Sequence, residues 1–183
     1  SSFLCYAAAQ ALGSKALAIT LITPMLPQFE IDDAKIFAQK IGIKHILVNT
    51  LDVPDAVAEN SEKRCYFCKK IAFNFILETA KKHGISVVLD GSNFDDLSDY
   101  RPGLRALQEL CILSPLKEVE LTKAEIRELS QKFGLPSWDK PAYACLASRI
   151  PYGEKIDAEK LNKIEKAEDC LRSFGFRQFR VRM

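Results

Sequence analysis

The sequence KALAITLI at residues 15–22 decides the fold class, because it would be apolar on both faces of a strand. An alanine-rich, helix-like stretch at residues 3–12 precedes it, and residues 31–41 follow it with apolar side chains at helical spacing. A second apolar run occupies residues 45–48. Strands that are apolar on both faces and alternate with helices are typical of a parallel sheet. The sequence therefore predicts an α/β protein with helices on both faces of a parallel sheet.

The alternation continues further along the chain. A long helix is predicted over residues 67–82, before Gly84, and a third buried strand over residues 86–89. Two more helices are predicted over residues 122–133 and 157–174, each opened by Thr or Asp and closed by Gly.

The last part of the chain predicts a second, smaller domain. Residues 179–183 have the pattern of a strand, and we expect residues 151–183 to supply the helix and first strand of that domain. Residues 1–150 are predicted to form the main domain. A chain of 183 residues suits one domain and the start of another.

Composition predicts a well-packed protein and argues against several classes of function. Hydrophobic residues make up 48% and charged residues 27% of the chain. A net charge of +2 gives no global reason to expect a nucleic-acid or membrane partner. No apolar run approaches the roughly 20 residues that span a bilayer, and no signal peptide is visible. We therefore expect a cytoplasmic protein.

The chain contains six cysteines, which without a visible secretion signal are predicted to be reduced thiols. Three of them, Cys5, Cys111 and Cys170, are interpreted as small buried apolar residues. The other three lie in segments that can carry chemistry.

Ligands of parallel α/β sheets bind beyond the carboxyl ends of the strands, so the segments that follow the predicted strands are site candidates. These segments are residues 23–27, 50–52 and 90–96. In the last of them, Gly91 allows close approach of the backbone, and Ser92 and Asn93 can bind phosphate or ribose. Asp95 and Asp96 offer the oxygen ligands that Mg²⁺ prefers. An ordinary strand-to-helix turn explains this segment equally well.

Arg101 and Arg105, in residues 99–105, are candidate substrate ligands because arginine forks suit phosphate and carboxylate. A solvated loop is the ordinary alternative.

Cys65 and Cys68 form a Cys-x-x-Cys pair at the start of the long helix, where the helix dipole favours thiolates. The pair fits half of a zinc site, a redox pair or part of an iron–sulfur site. A zinc site would need two more ligands, and we interpret both histidines, His45 and His83, as structural.

Cys145 lies in an irregular segment, residues 141–149, beside Ser148 and Arg149. An arginine there would lower the thiol pKa and bind an anion, although a loop with a chance cysteine is as good an interpretation. By residue type and number, Cys145 could complete a three-cysteine iron–sulfur set with Cys65 and Cys68. Spacing alone does not show that these segments meet.

Together these segments resemble the LarE family of ATP-dependent sulfur transferases in the PP-loop superfamily. Ser1 and Ser2 look like the tail of the PP-loop signature. The other matching segments follow in the family's order: RCYFCK at 64–69, DGSN at 90–93 with Asp95 and Asp96, residues 99–105, LTKAEIR at 121–127 and PAYACLASR at 141–149. The resemblance spans essentially the whole chain and implies a Rossmann-like fold of the adenine nucleotide alpha hydrolase type.

The resemblance also implies a reaction. ATP would adenylate a carboxylate of pyridinium-3,5-biscarboxylic acid mononucleotide, in making the nickel-pincer nucleotide cofactor of lactate racemase. Its phosphates would lie at a helix N-terminus, beside Ser1 and Ser2. The residues implied to hold the substrate's phosphate are Ser148, Arg149, Arg180 and Arg182.

The resemblance allows two sulfur sources. In single-cysteine relatives, the counterpart of Cys145 displaces AMP, forms a thioester and is eliminated to dehydroalanine. This chain has Cys65 where those relatives have an aromatic residue. With Cys68 and Cys145 it resembles relatives that hold a [4Fe-4S] cluster on three cysteines, where a sulfide on the open iron is donated. We favour the cluster and expect ATP, Mg²⁺ and [4Fe-4S] as cofactors.

Three other functions are alternatives. A tRNA thiolase would need a large basic surface. An amide synthetase would need a partner that supplies ammonia. A nucleotide sensor with a structural zinc would bind ATP without catalysing a reaction. The expected partners are a small nucleotide substrate, a second copy of the chain, and sulfide or a cysteine desulfurase. No nucleic acid or membrane partner is expected.

Overall fold

Two parallel strands form the sheet of this computed structural model, which describes residues 1–50, 52–98 and 101–183. Strand β1 (Leu17–Ile22) pairs with β2 (Lys44–Asn49), with Leu17 opposite Lys44 and Ile22 opposite Asn49. The predicted α/β class with a parallel sheet is confirmed, although the molecule is mostly helical.

Eight α-helices and three 3₁₀ turns surround the strands within the described ranges. The helices are α1 (Ser2–Leu12), α2 (Gln28–Ile41), α3 (Asp55–Ala58), α4 (Arg64–Lys82), α5 (Gly103–Glu109), α6 (Pro115–Glu118), α7 (Lys123–Lys132) and α8 (Ala158–Ser173). The 3₁₀ turns are Gly13–Lys15, Phe94–Leu97 and Leu146–Arg149. No helix in these ranges has the length and apolar character needed to cross a membrane.

Local chemistry explains where several helices begin and end. The Thr122 side chain accepts a hydrogen bond from the Glu125 amide, and the Glu125 carboxylate accepts one from Thr122, which forms a capping box at α7. Asp157 caps α8 by accepting from the amide of Lys160. Gly42 ends α2 in the left-handed conformation, with φ at 70°.

The strand predicted over residues 86–89 does not form. Leu89 makes one isolated parallel bridge to Leu113, supported by the bond from the Leu113 amide to the Val88 carbonyl, 3.2 Å. A cavity of about 300 Å³ lies between this segment and the free edge of β1. Because no described strand pairs with it on that side, the ladder stays at one bridge.

The strand predicted over residues 179–183 is also absent from the described structure. The Val181 amide donates to Oε1 of Glu168 at 3.0 Å, and the Met183 amide donates to the Arg149 carbonyl at 3.1 Å. A side chain and a loop carbonyl thus accept the hydrogen bonds that a neighbouring strand would otherwise have accepted. The division of the chain at residue 150 stays a prediction.

The largest buried cluster joins the segment around residue 146 to α8. Its members are Met25, Val57, Leu146, Ala147, Ile150, Ile156, Leu161 and Ile164. Full burial of one large aliphatic side chain stabilises a fold by about 1.5–3 kcal/mol, so this cluster holds the loop firmly. A second cluster of Phe3, Phe37, Leu116 and Leu135 packs α1 and α2 against α6 and the end of α7.

Candidate functional site

The structure brings the three predicted thiols into one neighbourhood. Cys65 and Cys68 lie three residues apart in the first turns of α4, and Cys145 precedes the 3₁₀ turn Leu146–Arg149. Burial raises the pKa of Cys68 to about 11, and the charges of Cys145 and Cys65 add to the shift. Contacts place the segments together: Arg64, next to Cys65, donates to the Ala147 carbonyl at 3.0 Å, and Cys68 packs against the cluster that contains Leu146 and Ala147. All six cysteines are free thiols.

The donor set limits what the three thiols can bind. Within residues 1–50, 52–98 and 101–183, no three His, Cys, Asp or Glu side chains converge on a point that would hold a single metal ion. In a cubane cluster each thiolate binds its own iron, so the ligands need not converge on one point. Thiolates are also the ligands that iron–sulfur clusters prefer. Three thiolates on separate irons are compatible with this donor set, and the cofactor stays a prediction.

A buried arginine connects the Cys-x-x-Cys helix to the Cys145 loop. Nη1 of Arg64 donates to Oδ1 of Asn60 and, at 3.0 Å, to the Ala147 carbonyl. Asn60 has a positive φ of 53° and donates to the carbonyls of Pro151 at 2.7 Å and Glu154 at 2.9 Å. This network fixes the start of α4, and with it two of the thiols, against the segment that carries the third.

Desolvation raises the pKa of the Cys145 thiol, and Arg64 opposes that shift. The residue itself is exposed, whereas Cys65 and Cys68 are half-buried. Of these three residues, Cys145 is thus the one most exposed to solvent.

Arg149, a predicted substrate ligand, is bound by protein groups in this structure. Its side chain is 1% exposed, and its Nε and Nη2 donate to the two carboxylate oxygens of Glu168 at 2.7 and 2.9 Å. Nη1 donates to the Ala144 carbonyl at 2.7 Å, the Cys145 carbonyl at 3.1 Å and Oγ of Ser148 at 2.9 Å. Since every nitrogen has protein partners, Arg149 organises the loop in this structure, and its contact with a substrate anion stays a prediction. Ser148 remains exposed.

Glu168 is a site residue that the sequence analysis missed. It is 1% exposed and also accepts hydrogen bonds from the Tyr143 hydroxyl and the Val181 amide. One signal was present: the carboxylate lies at helical spacing from the buried side chains of Leu161 and Ile164 in α8. An acidic residue on an apolar helix face needs a buried partner.

The loop that follows Leu89 is held in place by Asp90. Its Oδ1 accepts from the Ser92 amide at 3.0 Å and from the Ser114 hydroxyl at 2.9 Å, and its Oδ2 pairs with Lys69 at 3.1 Å. Burial alone would raise the pKa of Asp90, but Lys69 and these hydrogen bonds hold it below its usual value. The carboxylate stays ionised and fixes the loop.

Gly91 brings the predicted nucleotide loop against the N-terminus of α1. A Cβ on Gly91 would lie 2.6 Å from the Cβ and 2.8 Å from the nitrogen of Ser1, so only glycine fits. Oδ1 of Asn93 is buried without a hydrogen-bond partner in the described parts of the chain. The predicted phosphate-binding residues Ser1, Ser2, Gly91 and Asn93 thus lie at one place in the fold, and Ser92 beside them is buried.

Asp95 and Asp96 bind protein donors. Oδ2 of Asp95 accepts from the Lys123 amide at 2.8 Å, and Oδ2 of Asp96 accepts from the Asn93 amide at 3.0 Å. Oδ1 of Asp96 pairs with Arg101 at 2.8 Å. A pair of carboxylates engaged in this way fits Mg²⁺ poorly, and the magnesium role stays a prediction.

The remaining predicted arginines lie at the surface. Arg105 pairs with Glu109 at 2.9 Å, and Arg180 donates to the Ala142 carbonyl at 3.3 Å, next to the Cys145 loop. Arg182 is exposed. Three residues of the predicted site segments lie outside the described residues: Leu51 in the segment 50–52, and Asp99 and Tyr100 in the segment 99–105.

Other expectations have mixed outcomes. His45 bonds to the Thr20 hydroxyl at 2.9 Å between β1 and β2, and burial lowers its pKa. The prediction that the remaining cysteines are buried is wrong for two of them. Cys111, with φ at 54°, and Cys170 are exposed, and only Cys5 is partly buried.

No family model matches this chain. It is 47% identical over 184 residues to the uncharacterized protein slr1717 of Synechocystis sp., an alignment that covers 100% of this chain and 68% of that protein. It is 32% identical over 169 residues to the uncharacterized protein MJ0830 of Methanocaldococcus jannaschii, covering 92% of this chain and 65% of that protein.

A third relative has a functional name. The chain is 36% identical over 155 residues to the pyridinium-3,5-bisthiocarboxylic acid mononucleotide synthase of Lactiplantibacillus plantarum, covering 84% of this chain and 56% of that protein. The chain thus spans between 56% and 68% of the lengths of these relatives. It belongs to the family of the Synechocystis protein slr1717, and its similarity to the Lactiplantibacillus synthase supports the resemblance to the LarE sulfur transferases.

Proposed function

We propose that this chain is the ATP-using part of a sulfurtransferase that replaces a carboxylate oxygen of pyridinium-3,5-biscarboxylic acid mononucleotide with sulfur. The observation that carries the proposal is the shared neighbourhood of Cys65, Cys68 and Cys145, in which Cys145 is exposed. The substrate class rests on the name of the Lactiplantibacillus relative.

The first half of the proposed reaction is adenylation. The substrate carboxylate attacks the α-phosphorus of ATP, forms an acyl adenylate and releases pyrophosphate. Two features support a phosphate site beside Gly91: the N-terminus of α1 at Ser1, and the buried unpartnered oxygen of Asn93, a hydrogen-bond acceptor that a ribose hydroxyl fits.

The second half is sulfur transfer with loss of AMP. We propose that Cys65, Cys68 and Cys145 hold a [4Fe-4S] cluster, which when bound supplies an open iron for the sulfide to be donated. Arg64 supports this role because it ties α4 to the Ala147 carbonyl and so fixes the spacing of the thiols.

A second candidate is sacrificial donation, which the exposure of Cys145 favours. Its thiolate would attack the acyl carbon and expel AMP, giving a thioester. Removal of the Cα proton then breaks the Cβ–S bond. The sulfur stays on the substrate as a thiocarboxylate, and dehydroalanine stays at residue 145.

The decisive experiment is anaerobic reconstitution of the full-length protein with iron and sulfide, followed by absorption spectroscopy and iron counting. Cys65→Ala, Cys68→Ala and Cys145→Ala should each lose the cluster, and Cys111→Ala, at an exposed cysteine outside the proposed set, is the matched control. A cluster that survives any of the three changes contradicts the ligand set. No cluster, with loss of one H₂S in mass from Cys145 after turnover, establishes sacrificial donation.

Adenylation is tested separately by pyrophosphate release. Release should require both ATP and the dicarboxylate nucleotide, and Cys145→Ala should retain it because the thiol acts after activation. ATP binding without pyrophosphate release, together with bound zinc, would instead identify a nucleotide sensor.

A further inference from the structure

We propose that Glu168 is a positioning residue which, through Arg149, fixes the Cys145 loop and residues 180–183 relative to one another. The catalytic meaning of this proposal rests on the proposed function, whereas the positioning itself rests on the geometry of the pair.

On the loop side, the guanidinium of Arg149 binds backbone carbonyls on both sides of the Cys145 side chain. Nη1 of Arg149 donates to the successive carbonyls of Ala144 and Cys145. It also donates to Oγ of Ser148, whose hydroxyl in turn donates to the Cys145 carbonyl at 2.8 Å. A planar fork that donates to successive carbonyls fixes the peptide planes on both sides of Cys145.

On the helix side, Glu168 fixes the arginine. Both carboxylate oxygens accept from Arg149, and the Tyr143 hydroxyl donates to Oε2. The guanidinium lies 4.5 Å from the centre of the Tyr143 ring. A buried ion pair with its hydrogen bonds satisfied has one geometry, because each alternative leaves a buried polar group without a partner.

The same pair holds the last residues of the chain. The Val181 amide donates to Oε1 of Glu168, and the Met183 amide donates to the Arg149 carbonyl. These two tethers flank Arg182 and adjoin Arg180. One buried ion pair therefore sets the distance between the thiol at Cys145 and the two arginines proposed to hold the substrate's phosphate.

This arrangement implies how the substrate would be aligned. A nucleotide held by its phosphate at residues 180–182 presents its ring carboxylate at a distance that the Arg149–Glu168 pair determines. Loosening the pair should lower the rate of sulfur transfer more than the binding of nucleotide, because alignment of reacting groups acts mainly on the rate.

The test is amide hydrogen exchange of the full-length protein without substrate or cluster. In wild type, the Val181 and Met183 amides should exchange at least about tenfold more slowly than the Arg182 amide between them. Glu168→Gln should reduce that protection at Val181, because Gln has one acceptor oxygen in place of two, and the Val181 amide must then compete for it with the Arg149 guanidinium. Equal exchange at residues 181–183 of wild type overturns the proposal.

Two further variants keep the result interpretable. Glu159→Gln removes a carboxylate from an exposed pair with Lys163 on the same helix and should leave exchange unchanged. If Glu168→Gln does not fold, Arg149→Lys serves in its place, because it keeps a positive charge but loses the fork. If folded Arg149→Lys shows the same amide exchange rates at residues 144–148 as wild type, the proposal is contradicted.

Kinetics separate this proposal from the proposed function. In a protein that transfers sulfur, Glu168→Gln should lower kcat about tenfold or more while KM for the nucleotide changes less than about threefold. A wild type with protected tethers but no transfer defeats the proposed function alone. A wild type that transfers sulfur but exchanges freely at Val181 and Met183 defeats the positioning role alone.

Discussion

At the scale of single residues, Arg64 and Arg149 connect the Cys145 loop to two different helices. Arg64 lies at the start of α4 and donates to the Ala147 carbonyl, whereas Arg149 is anchored to Glu168 in α8. Both guanidiniums also oppose the rise in the pKa of the Cys145 thiol that burial causes. Each arginine therefore affects the shape of the loop and the charge state of its thiol together.

Replacing Arg64 tests this double role. Arg64→Ala should lower the free energy of unfolding by about 3 kcal/mol, because Asn60 and a loop carbonyl lose a buried charged donor. It should also raise the pKa of Cys145, since a positive charge that favours the thiolate is removed. Urea unfolding measures the first effect, and the pH profile of Cys145 alkylation in cluster-free protein measures the second. Arg105→Ala, at the surface, is the control; an unchanged alkylation profile in Arg64→Ala would contradict the electrostatic role.

Gly91 allows a second test at this scale. Gly91→Ala should cost about 1–3 kcal/mol, because the new methyl group would overlap Ser1. It should also weaken ATP binding by moving the loop away from α1. Gly134→Ala is the control. It also strains the backbone, because φ at Gly134 is 64°, but the new methyl group would meet no atom within 4 Å. Calorimetric ATP titration of both variants decides: equal affinities would remove Gly91 from the nucleotide site.

The sequence proposed Cys65, Cys68 and Cys145 as one set, and the structure brings their segments together, but the sequence did not show which charged groups are buried. From the sequence, an arginine beside a loop cysteine is typical of an anion site, which predicts a substrate anion as the partner of Arg149. Its actual partner, Glu168, is 19 residues away in sequence. Burial of a charge depends on which elements pack together, and local residue patterns do not carry that information.

At the scale of elements, the longer helices were predictable, whereas the short helices α3, α5 and α6 were missed and two predicted strands do not form. Thr122 and Asp157 cap α7 and α8 through contacts within four residues, so local sequence determines where these helices begin. The segments at residues 86–89 and 179–183 have strand-like composition, but a strand also needs a neighbour with free donors and acceptors. Leu89 has one bridge, and Val181 bonds to a side chain instead.

The attachment of α8 to the Cys145 loop should depend on pH. Burial alone would raise the pKa of Glu168, but hydrogen bonds from Arg149 and Tyr143 outweigh it, and the pKa is lowered. The ionised group therefore stabilises the fold above its unfolded-state pKa of about 4.3, and this stabilisation is lost as the pH falls through the lower folded-state pKa.

We therefore expect wild type to lose stability more steeply than Glu168→Gln between about pH 5 and pH 3. Urea unfolding at a series of pH values measures the slopes, with Glu159→Gln expected to follow wild type. Parallel slopes for wild type and Glu168→Gln would show that the carboxylate is not held ionised by Arg149.

At the scale of the whole molecule, one buried cluster crosses the predicted domain boundary at residue 150. Ile156, Leu161 and Ile164, which lie after the boundary, pack in one core with Met25 and Val57. Tyr143 and Glu168 add a polar contact across the same boundary. A core shared in this way predicts that residues 151–183 unfold together with the rest of the chain.

Ile164→Ala tests that expectation. The side chain is 1% exposed, so truncation should cost about 2–5 kcal/mol and lower the melting temperature in a single transition. Ile36→Ala, at a position that is 64% exposed, removes the same atoms and should cost less than about 0.5 kcal/mol. Calorimetry and circular dichroism should report the same midpoint. If Ile164→Ala instead shows two transitions, with only the later residues destabilised, then residues 151–183 form a separate unit and the thiol loop is stable without α8.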